Sequence, residues 1–382
     1  MEHYDQRRGS APVGMEHSHC ALKTGGVSRR RFVTSLAAFG AGMMLPSGGS
    51  RAQTVPRAGG NQPNRPNRPN RIDVHHHTLP TPYLRSQRER ILSSVDSARI
   101  LQVLDWTPAR AVEEMDKYGV ATAITSIGGP GIWLGDVQAS RSLARACNEY
   151  SAQMVRDHPG RFGLFAALPL PDPEGSLREI EYALDALKAD GFILLTNYGD
   201  KWPGDPAYAP VFEELNRRKA VVFFHPAAPA CCRNLIPDIP PVVTEFLFDT
   251  TRAITSLLFS GTFARLPEIR FIFTHAGGTM PVLASRIEGY MEQHPELLPR
   301  IPNGVPYELK KLHYDVANAV NPSSIAALMN LVPASQILFG SDFPFYAIGL
   351  TANRLDDYGL PARNRQAINR DNATRLFPRL KG

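Results

Sequence analysis

The sequence predicts an α/β protein folded as a (β/α)₈ TIM barrel. From residue 72 onward, short runs of Val, Ile, Leu and Phe alternate with amphipathic helical patterns, and this alternation occurs eight times within the 382 residues. The apolar runs show little polar alternation, as expected for parallel strands that helices cover. No Gly-x-Gly-x-x-Gly motif follows the first run, and no Walker loop occurs. The sequence therefore favours a closed barrel over an open nucleotide-binding sheet.

Eight apolar runs are the predicted strands, because each is short and is followed by a loop or a helical pattern. They span residues 72–75, 121–127, 162–168, 191–196, 220–225, 269–275, 312–316 and 336–340.

The segments between the strands predict helices, because their apolar residues recur with a helical period. Two of them, 176–188 and 323–331, follow Asp172-Pro173 and Asn321-Pro322, where a capping side chain precedes a proline that suits the first turn. The predicted helices span residues 108–118, 140–156, 176–188, 210–219, 243–263, 281–292, 323–331 and 362–376.

Residues 1–52 predict a twin-arginine signal peptide. Consecutive arginines within residues 28–33 precede an apolar run, residues 32–45, which small residues follow. That run is too short for a stable membrane span, so we expect a periplasmic or secreted protein. Residues 56–71 repeat Asn-Arg-Pro and have no large apolar residue to bury, so residues 53–71 predict a disordered linker. The folded domain is then residues 72–382.

The formal net charge of +6 comes from the N-terminal segments. Residues 1–52 hold seven Lys and Arg residues against three acidic residues, whereas residues 72–382 hold 31 Lys and Arg residues against 33 Asp and Glu residues. Because the predicted barrel has no basic excess, we expect no nucleic-acid partner.

The four cysteines do not form a disulfide framework. Cys20 lies in the leader, Cys147 lies in a helical pattern, and Cys231 and Cys232 are adjacent in a loop. Without spaced pairs, all four are expected to be free thiols.

Ionisable residues stand at the ends of the predicted strands, where TIM barrels place their active sites. The first strand leads into His75-His76-His77. Because strand side chains alternate between two faces, His75 and His77 should point together while His76 points away. Two imidazoles on one face bind Zn²⁺ or a similar cation well, although an isolated His-x-His pair also arises by chance. Asp73 could orient one of these ligands.

Three further residues follow the same pattern. His225 ends the fifth strand, His275 ends the sixth, and Asp342 follows the eighth. Each alone has a structural explanation, since a buried histidine can be satisfied in the core and an acid can find a hydrogen bond or solvent. Because all eight strands end at one mouth of the barrel, we expect these side chains to meet there. Gly277 and Gly278 would allow close backbone approach beside His275.

At these motifs the chain resembles the amidohydrolase superfamily, over about residues 71–377. It resembles more closely the branch that contains aminocarboxymuconate semialdehyde decarboxylase and 6-methylsalicylate decarboxylase. The motifs that carry the resemblance are Asp73-x-His75-x-His77, Phe224-His225-Pro226, Thr274-His275-Ala276-Gly277-Gly278 and Phe339-Gly340-Ser341-Asp342-Phe343-Pro344. They are specific for the branch but not for a substrate. The resemblance implies a TIM barrel of the metal-dependent hydrolase type, with an amidohydrolase-related catalytic domain.

The resemblance also implies a ligand set. His75, His77, His225 and Asp342 would hold one divalent metal ion, with zinc as the first expectation and manganese as the alternative. His275 would be the catalytic acid–base residue, acting beside Asp342. Binuclear amidohydrolases carry a carboxylated lysine at the end of strand four, and the sequence has no lysine there. A mononuclear site is therefore favoured.

Arg286 matches an arginine that, in this branch, reaches the substrate carboxylate bound to a neighbouring subunit. The match implies that Arg286 binds substrate and that the protein forms a homodimer. The alternative is a surface arginine on a helix.

Two reactions are consistent with such a site. One is the non-oxidative decarboxylation of an aromatic or unsaturated carboxylic acid, in which Trp202, Phe345 and Tyr346 would pack against the substrate or simply cover the mouth of the barrel. The other is hydrolysis of a lactone, amide or ester, with His275 transferring the proton. A non-catalytic binding role would need a closed four-ligand site. If the protein is a decarboxylase, its partner is a small carboxylic acid substrate.

Overall fold

The computed structural model describes residues 70–93, 100–199, 201–232 and 235–381. The predicted signal peptide, residues 1–52, lies outside these ranges, as does the predicted linker up to residue 69. Within them, no helix is long and apolar enough to cross a membrane.

Eight parallel strands form one sheet whose order follows the chain. They are β1 (Arg71–His77), β2 (Val120–Ser126), β3 (Phe162–Ala167), β4 (Gly191–Leu195), β5 (Val221–His225), β6 (Arg270–Phe273), β7 (His313–Asp315) and β8 (Ile337–Leu338). Hydrogen bonds also join the first strand to the chain just beyond the last one, since the Val74 N–H donates to the Phe339 carbonyl at 3.0 Å. The predicted (β/α)₈ barrel is confirmed.

Helices alternate with the strands along the described chain. They are α1 (Thr81–Leu92), α2 (Ile100–Leu104), α3 (Pro108–Lys117), α4 (Val137–Asp157), α5 (Pro173–Asp185), α6 (Ala209–Arg217), α7 (Glu245–Phe259), α8 (Thr262–Arg265), α9 (Met280–Glu292), α10 (Val305–Lys310), α11 (Pro322–Leu331), α12 (Ile348–Asp357), α13 (Ala362–Gln366) and α14 (Asn372–Leu376).

Side-chain caps fix where several helices begin. The Asn321 side chain accepts the Ser324 N–H ahead of α11, as the sequence predicts. The start of α4 is three residues earlier than predicted, because the Asp136 side chain caps it through the Ala139 N–H. The predicted helix 243–263 is wrong as one element. The chain turns at Gly261, whose φ of 74° is left-handed, and α8 follows as a separate turn.

Other parts of the helical layer also differ from the prediction. The predicted helix 362–376 is divided by a π-helical segment, Ala367–Asp371, between α13 and α14. Helices α1, α2, α10 and α12 lie outside the predicted helices. The buried residues of α1 are only Tyr83, Gln87 and Ile91. Such a narrow stripe on a strongly polar helix gives a weak periodic signal.

The core is built largely from aromatic rings on the strands. Phe165 of β3 stacks on Phe223 of β5, with centroids 5.3 Å apart. Phe224 of β5 stacks on Phe273 of β6 at 5.0 Å. These rings are fully buried, and they hold the strands in register so that the carboxyl ends lie at a common mouth.

The tight contact between β4 and β5 yields a stability prediction. A methyl group at Gly191 would overlap the Val221 carbonyl oxygen of the neighbouring strand. We expect Gly191→Ala to lower the free energy of unfolding by about 1–3 kcal/mol, as overpacking does. Gly289→Ala is the matched control, because nothing lies within 4 Å of that methyl position on α9. The control should raise stability by about 0.5–1 kcal/mol.

Urea unfolding of the two variants beside the wild-type protein measures both changes. Equal stability of Gly191→Ala and the wild-type protein would contradict this account of the strand contact.

Candidate active site

Four residues from distant parts of the chain meet at the mouth of the barrel. His75, His77, His225 and Asp342 are all buried, and one ligand atom from each lies within 4.8 Å of the others. The Nε2 atoms of His75 and His77 are 3.2 Å apart. Asp342 Oδ1 lies 3.0 Å from His77 Nε2 and 3.3 Å from His75 Nε2. The residues that the sequence analysis named as ligands are therefore brought together.

The alternation of β1 explains why only two of its three consecutive histidines join this cluster. His76 points to the other face, where its ring packs against Phe343 at 5.0 Å and its Nδ1 lies 3.1 Å from an oxygen of Asp73. The rings of His75 and His77 lie together on the face that also holds His225.

Each ligand imidazole is held through its Nδ1 atom. His75 Nδ1 lies 3.0 Å from Asp315 Oδ2, His77 Nδ1 lies 3.3 Å from the Ser126 carbonyl oxygen, and His225 Nδ1 lies 2.9 Å from the Pro226 carbonyl oxygen. A proton on Nδ1 that donates to these acceptors leaves the Nε2 lone pair free for a cation. Three oriented imidazoles and one carboxylate form a donor set that fits a divalent metal ion.

The carboxylates at this cluster stabilise a nearby positive charge, either a protonated imidazole or a bound cation. Burial alone would lower the pKa of His75, but the Asp315 and Asp342 carboxylates outweigh burial and raise it to about 10. Burial alone would raise the pKa of Asp342, yet the neighbouring His75 and His77 hold it well below its usual range. Burial and the adjacent histidines lower the pKa of His225 well below its usual range. The ionised carboxylate of Asp342 thus lies in the same cluster as the neutral imidazole of His225.

Asp73 holds backbone N–H groups, whereas the sequence predicted that it orients a ligand side chain. Its side chain accepts hydrogen bonds from the backbone N–H groups of His75, at 3.1 Å, and Ser341, at 3.0 Å. It also accepts the Ser341 hydroxyl. Asp73 therefore ties β1 to the loop that carries Asp342. The carboxylate that orients a ligand ring is Asp315, which the sequence analysis did not select.

His275 lies beside the cluster and outside its ligand set. Its Nδ1 is 2.9 Å from the Ala317 carbonyl oxygen, and its Nε2 is 4.0 Å from Asp342 Oδ2. The backbone N–H of His275 donates to Asp315 Oδ1 at 3.0 Å. With Nδ1 engaged, Nε2 is the atom that can exchange a proton with a bound molecule. A methyl group at Gly277 would lie 2.7 Å from the Tyr314 ring, so the glycine permits the close approach that was expected.

Left-handed backbone concentrates around this site. Of the seven described non-glycine residues with positive φ, four are His275, Ala276, Asn318 and Asp342. Such conformations cost energy and persist where the surrounding structure holds them. They allow consecutive residues to turn sharply at the strand ends and direct their side chains inward.

Asn318 is a site residue that the sequence analysis missed. Its Nδ2 donates to Asp342 Oδ2 at 3.0 Å, on the carboxylate oxygen that does not face His77. Its Oδ1 is buried and has no hydrogen-bond partner among the residues that the structure describes. The amide thus holds one oxygen of Asp342 and leaves the other, Oδ1, directed at the histidines.

Two half-buried phenylalanines flank the ligand imidazoles. The ring of Phe345, a predicted substrate contact, lies 5.2 Å from His77. The ring of Phe246, at the start of α7, lies 6.3 Å from His225 and was not predicted. Phe246 carries no sequence signal, because only the folding of the β5–α7 connection brings it to the mouth.

The other predicted substrate contacts lie farther out. The Trp202 indole N–H donates to Asp249 at 2.9 Å, and the same carboxylate accepts the Asn197 amide. In the described part of the chain, Trp202 makes no ring contact with the ligand imidazoles. Arg286 is exposed on α9. Tyr346 is half-buried in the loop that follows Asp342.

The end of β4 supports a site for one metal ion. Thr196 and Asn197 follow this strand, and both side chains hydrogen-bond to Asp249. No lysine follows β4 where a binuclear site would need its bridging group, and the four-residue cluster is compact enough for one ion.

This fold and this cluster define a TIM-barrel protein with a three-histidine, one-carboxylate site. The chain belongs to the amidohydrolase family, whose model matches residues 72–379.

Among its relatives, a 6-methylsalicylic acid decarboxylase from Penicillium expansum is 35% identical over 320 residues, which cover 82% of this chain and 97% of that protein. A decarboxylase from Aspergillus niger is 34% identical over 330 residues, 81% of this chain and 88% of that protein. The expected branch of the family is confirmed.

A solved structure agrees at the level of the fold. The dihydroxybenzoic acid decarboxylase from Polaromonas sp. JS666, with bound manganese and the inhibitor 2-nitroresorcinol, superposes with a TM-score of 0.72 at 22% identity. The match covers 82% of this chain and 98% of that one.

The contact between Asn318 and Asp342 yields a prediction for metal binding. We expect Asn318→Ala to weaken metal affinity by about 10–100-fold, because the carboxylate loses the group that orients it. Metal-binding titration of the apo protein measures this change. Asn303→Ala is the control, since Asn303 is exposed and away from the cluster. If both variants bind metal as tightly as the wild-type protein, Asn318 does not position Asp342.

Proposed function

We propose that this protein is a mononuclear metal-dependent decarboxylase of an aromatic carboxylic acid. The observation that carries the proposal is the convergence of His75, His77, His225 and Asp342 on one buried point, with His275 beside them. The family relatives that cover most of the chain are decarboxylases. They support a carbon–carbon lyase over the hydrolase alternative.

We propose one divalent metal ion at this cluster. Three imidazole nitrogens and a carboxylate oxygen suit Zn²⁺, and the manganese bound in the related dihydroxybenzoic acid decarboxylase supports Mn²⁺ as the alternative. When bound, the metal supplies Lewis-acid stabilisation of the negative charge that develops on the substrate. Metal analysis and reconstitution of the apo protein with each ion distinguish the two.

The chain's own residues account for the proton that the reaction requires. In decarboxylation the ring carbon that bears the carboxylate takes a proton, the bond from this carbon to the carboxylate breaks, and its electron pair restores the ring as CO₂ leaves. His275 Nε2 is the atom placed to give that proton, since its Nδ1 is engaged by Ala317. Asp342 Oδ2 lies 4.0 Å from this nitrogen, so the proton donor and the carboxylate face the same space.

An aromatic substrate suits the walls of the site. Phe345 and Phe246 are half-buried beside His77 and His225 respectively, so their rings offer apolar surface next to the proposed metal. Aromatic rings pack favourably against such surfaces. We therefore propose a benzoic acid with a ring hydroxyl as the substrate class, as in the relative that acts on 6-methylsalicylic acid.

The reaction class is tested by incubating the metal-loaded enzyme with hydroxybenzoates and, separately, with lactones. We expect CO₂ release from a hydroxybenzoate and no ring opening of a lactone. Lactone hydrolysis without CO₂ release would overturn the decarboxylase in favour of the hydrolase.

We also propose a homodimer in which Arg286 completes the partner's site. Val282, Arg286 and Tyr290 are spaced four residues apart on α9, and therefore lie on one helix face. All three are exposed, Val282 by 71%. The exposed apolar side chains of this face suit contact with a second copy of the chain. The arginine among them could then reach an anionic substrate bound to that copy.

Export through the twin-arginine pathway is a further proposal. The paired arginines of residues 28–33 and the short apolar run that follows support it. Cell fractionation tests it, since an unprocessed protein confined to the cytoplasm would contradict export.

The roles of the ligands and of His275 predict opposite metal contents. His225→Ala and Asp342→Ala should lose metal and activity together. His275→Ala should keep stoichiometric metal and lose turnover by about 10²–10⁴-fold, as expected when a general acid–base group is removed. Metal analysis and steady-state kinetics on the same preparations separate these cases. Full metal content in Asp342→Ala, or near-normal turnover in His275→Ala, would remove that residue from its role.

The dimer proposal predicts complementation between two impaired variants. Arg286→Ala should raise KM with metal content unchanged, because it removes a substrate contact. Co-expression with His275→Ala should restore part of the activity, because a mixed dimer contains one site with both residues intact. If mixed dimers form and their activity stays at the level of Arg286→Ala alone, Arg286 does not act across an interface.

A further inference from the structure

Cys231 and Cys232 form a pair of adjacent thiols that the decarboxylase site does not use. Cys231 is exposed, and Cys232 is partly exposed. Both lie in the 3₁₀ turn Ala230–Cys232, in the connection that follows the proposed ligand His225. By contrast, Cys147 is buried in α4, where burial raises the pKa of its thiol to about 12.

The turn brings the two thiols nearer to each other than an extended chain would. In an extended chain, adjacent side chains point to opposite faces. Here the Cys232 N–H donates to the Pro229 carbonyl at 3.0 Å and closes a turn in which successive residues rotate by about a third of a circle. The hydrogen bond between the Cys231 and Cys232 side chains is the main cause of a raised pKa at Cys232. The two sulfur atoms are therefore neighbours.

We propose that Cys231 and Cys232 are a two-thiol modification site, which a small-molecule disulfide oxidises to a reversible disulfide between adjacent residues. The Cys231 thiolate attacks one sulfur of the small disulfide, a mixed disulfide forms, and the first small thiolate leaves. The Cys232 sulfur then attacks the Cys231 sulfur, and the second small thiolate leaves. The two protons of the protein thiols end on the two small thiols, so two cysteines are oxidised and one disulfide is reduced.

The spacing of adjacent residues makes such a bond labile. Consecutive Cα atoms lie about 3.8 Å apart across a trans peptide. Ordinary disulfides span about 4.4–6.8 Å between Cα atoms, and departures from this range make the bond more reducible. Strained, exposed disulfides are the ones that exchange with small thiols. The pair is thus suited to reversible oxidation and not to permanent cross-linking.

The pair lies beside charged groups that lead to the mouth of the barrel. Arg252 and Glu245 of α7 are the charged neighbours of Cys232. Arg252 Nη1 lies 3.7 Å from Glu245 Oε2 and 3.6 Å from Asp249 Oδ1. Asp249 in turn holds Asn197 and Trp202. Closing the disulfide would rearrange the turn at one end of this polar network.

The test treats the metal-loaded full-length protein with oxidised glutathione and maps the products by peptide mass spectrometry. We expect a Cys231–Cys232 disulfide in the wild-type protein and in the control Cys147→Ser. Cys232→Ser should instead accumulate glutathione on Cys231, because the resolving thiol is gone. Dithiothreitol should reverse both products. Glutathione adducts without an internal disulfide in the wild-type protein, or no reaction at Cys231, would overturn the proposal.

A second probe tests the proximity of the thiols without an oxidant. Phenylarsine oxide condenses with two neighbouring thiols, forming two As–S bonds and releasing one water. We expect one arsenical retained per chain in the wild-type protein, and none in Cys231→Ser or Cys232→Ser after washing with a monothiol. Retention by either single variant would show that the pair is not the site. Neither experiment depends on the decarboxylase activity.

Discussion

The buried carboxylate of Asp342 determines which groups must surround it at the mouth of the barrel. A carboxylate removed from water is unstable unless positive charge and hydrogen bonds compensate for it. Here His75 and His77 face one oxygen, while Asn318 holds the other and His275 lies within 4.0 Å of it. The cluster is therefore organised to hold a cation, and the barrel supplies the rigid strand ends that keep these groups together.

A second buried carboxylate, that of Asp315, holds the groups that surround the Asp342 cluster. Asp315, fully buried at the end of β7, faces His75 Nδ1 with one oxygen and accepts the N–H groups of His275 and Ala317 with the other. It therefore orients the His75 ring and the loop that carries His275, the proposed acid–base residue, at the same time. Asp73 plays the corresponding part for the backbone between β1 and the loop after β8. The proposed catalytic groups are thus held by carboxylates on both sides of the proposed metal ligands, as precise positioning of the reacting groups requires.

The sequence was sufficient for the barrel and for the ligand cluster, because both follow from strong local rules. Apolar runs separated by helical periods predict the fold, and the strand-end rule brings His225 and Asp342 to His75. The same rule, applied to the predicted strand 312–316, would have selected Asp315. Asn318 and Phe246 carry no comparable signal, since each reaches the site through the path of a loop. The predicted role of Trp202 depended on a loop in the same way, and its indole is held at Asp249.

Anomalous diffraction at the zinc and manganese edges, from crystals of the wild-type protein, locates any metal ion bound at the four-residue cluster. We expect a single peak about 2.0–2.3 Å from the Nε2 atoms of His75, His77 and His225 and from one oxygen of Asp342. A peak bonded to other residues, or two peaks at this mouth of the barrel, would contradict this expectation.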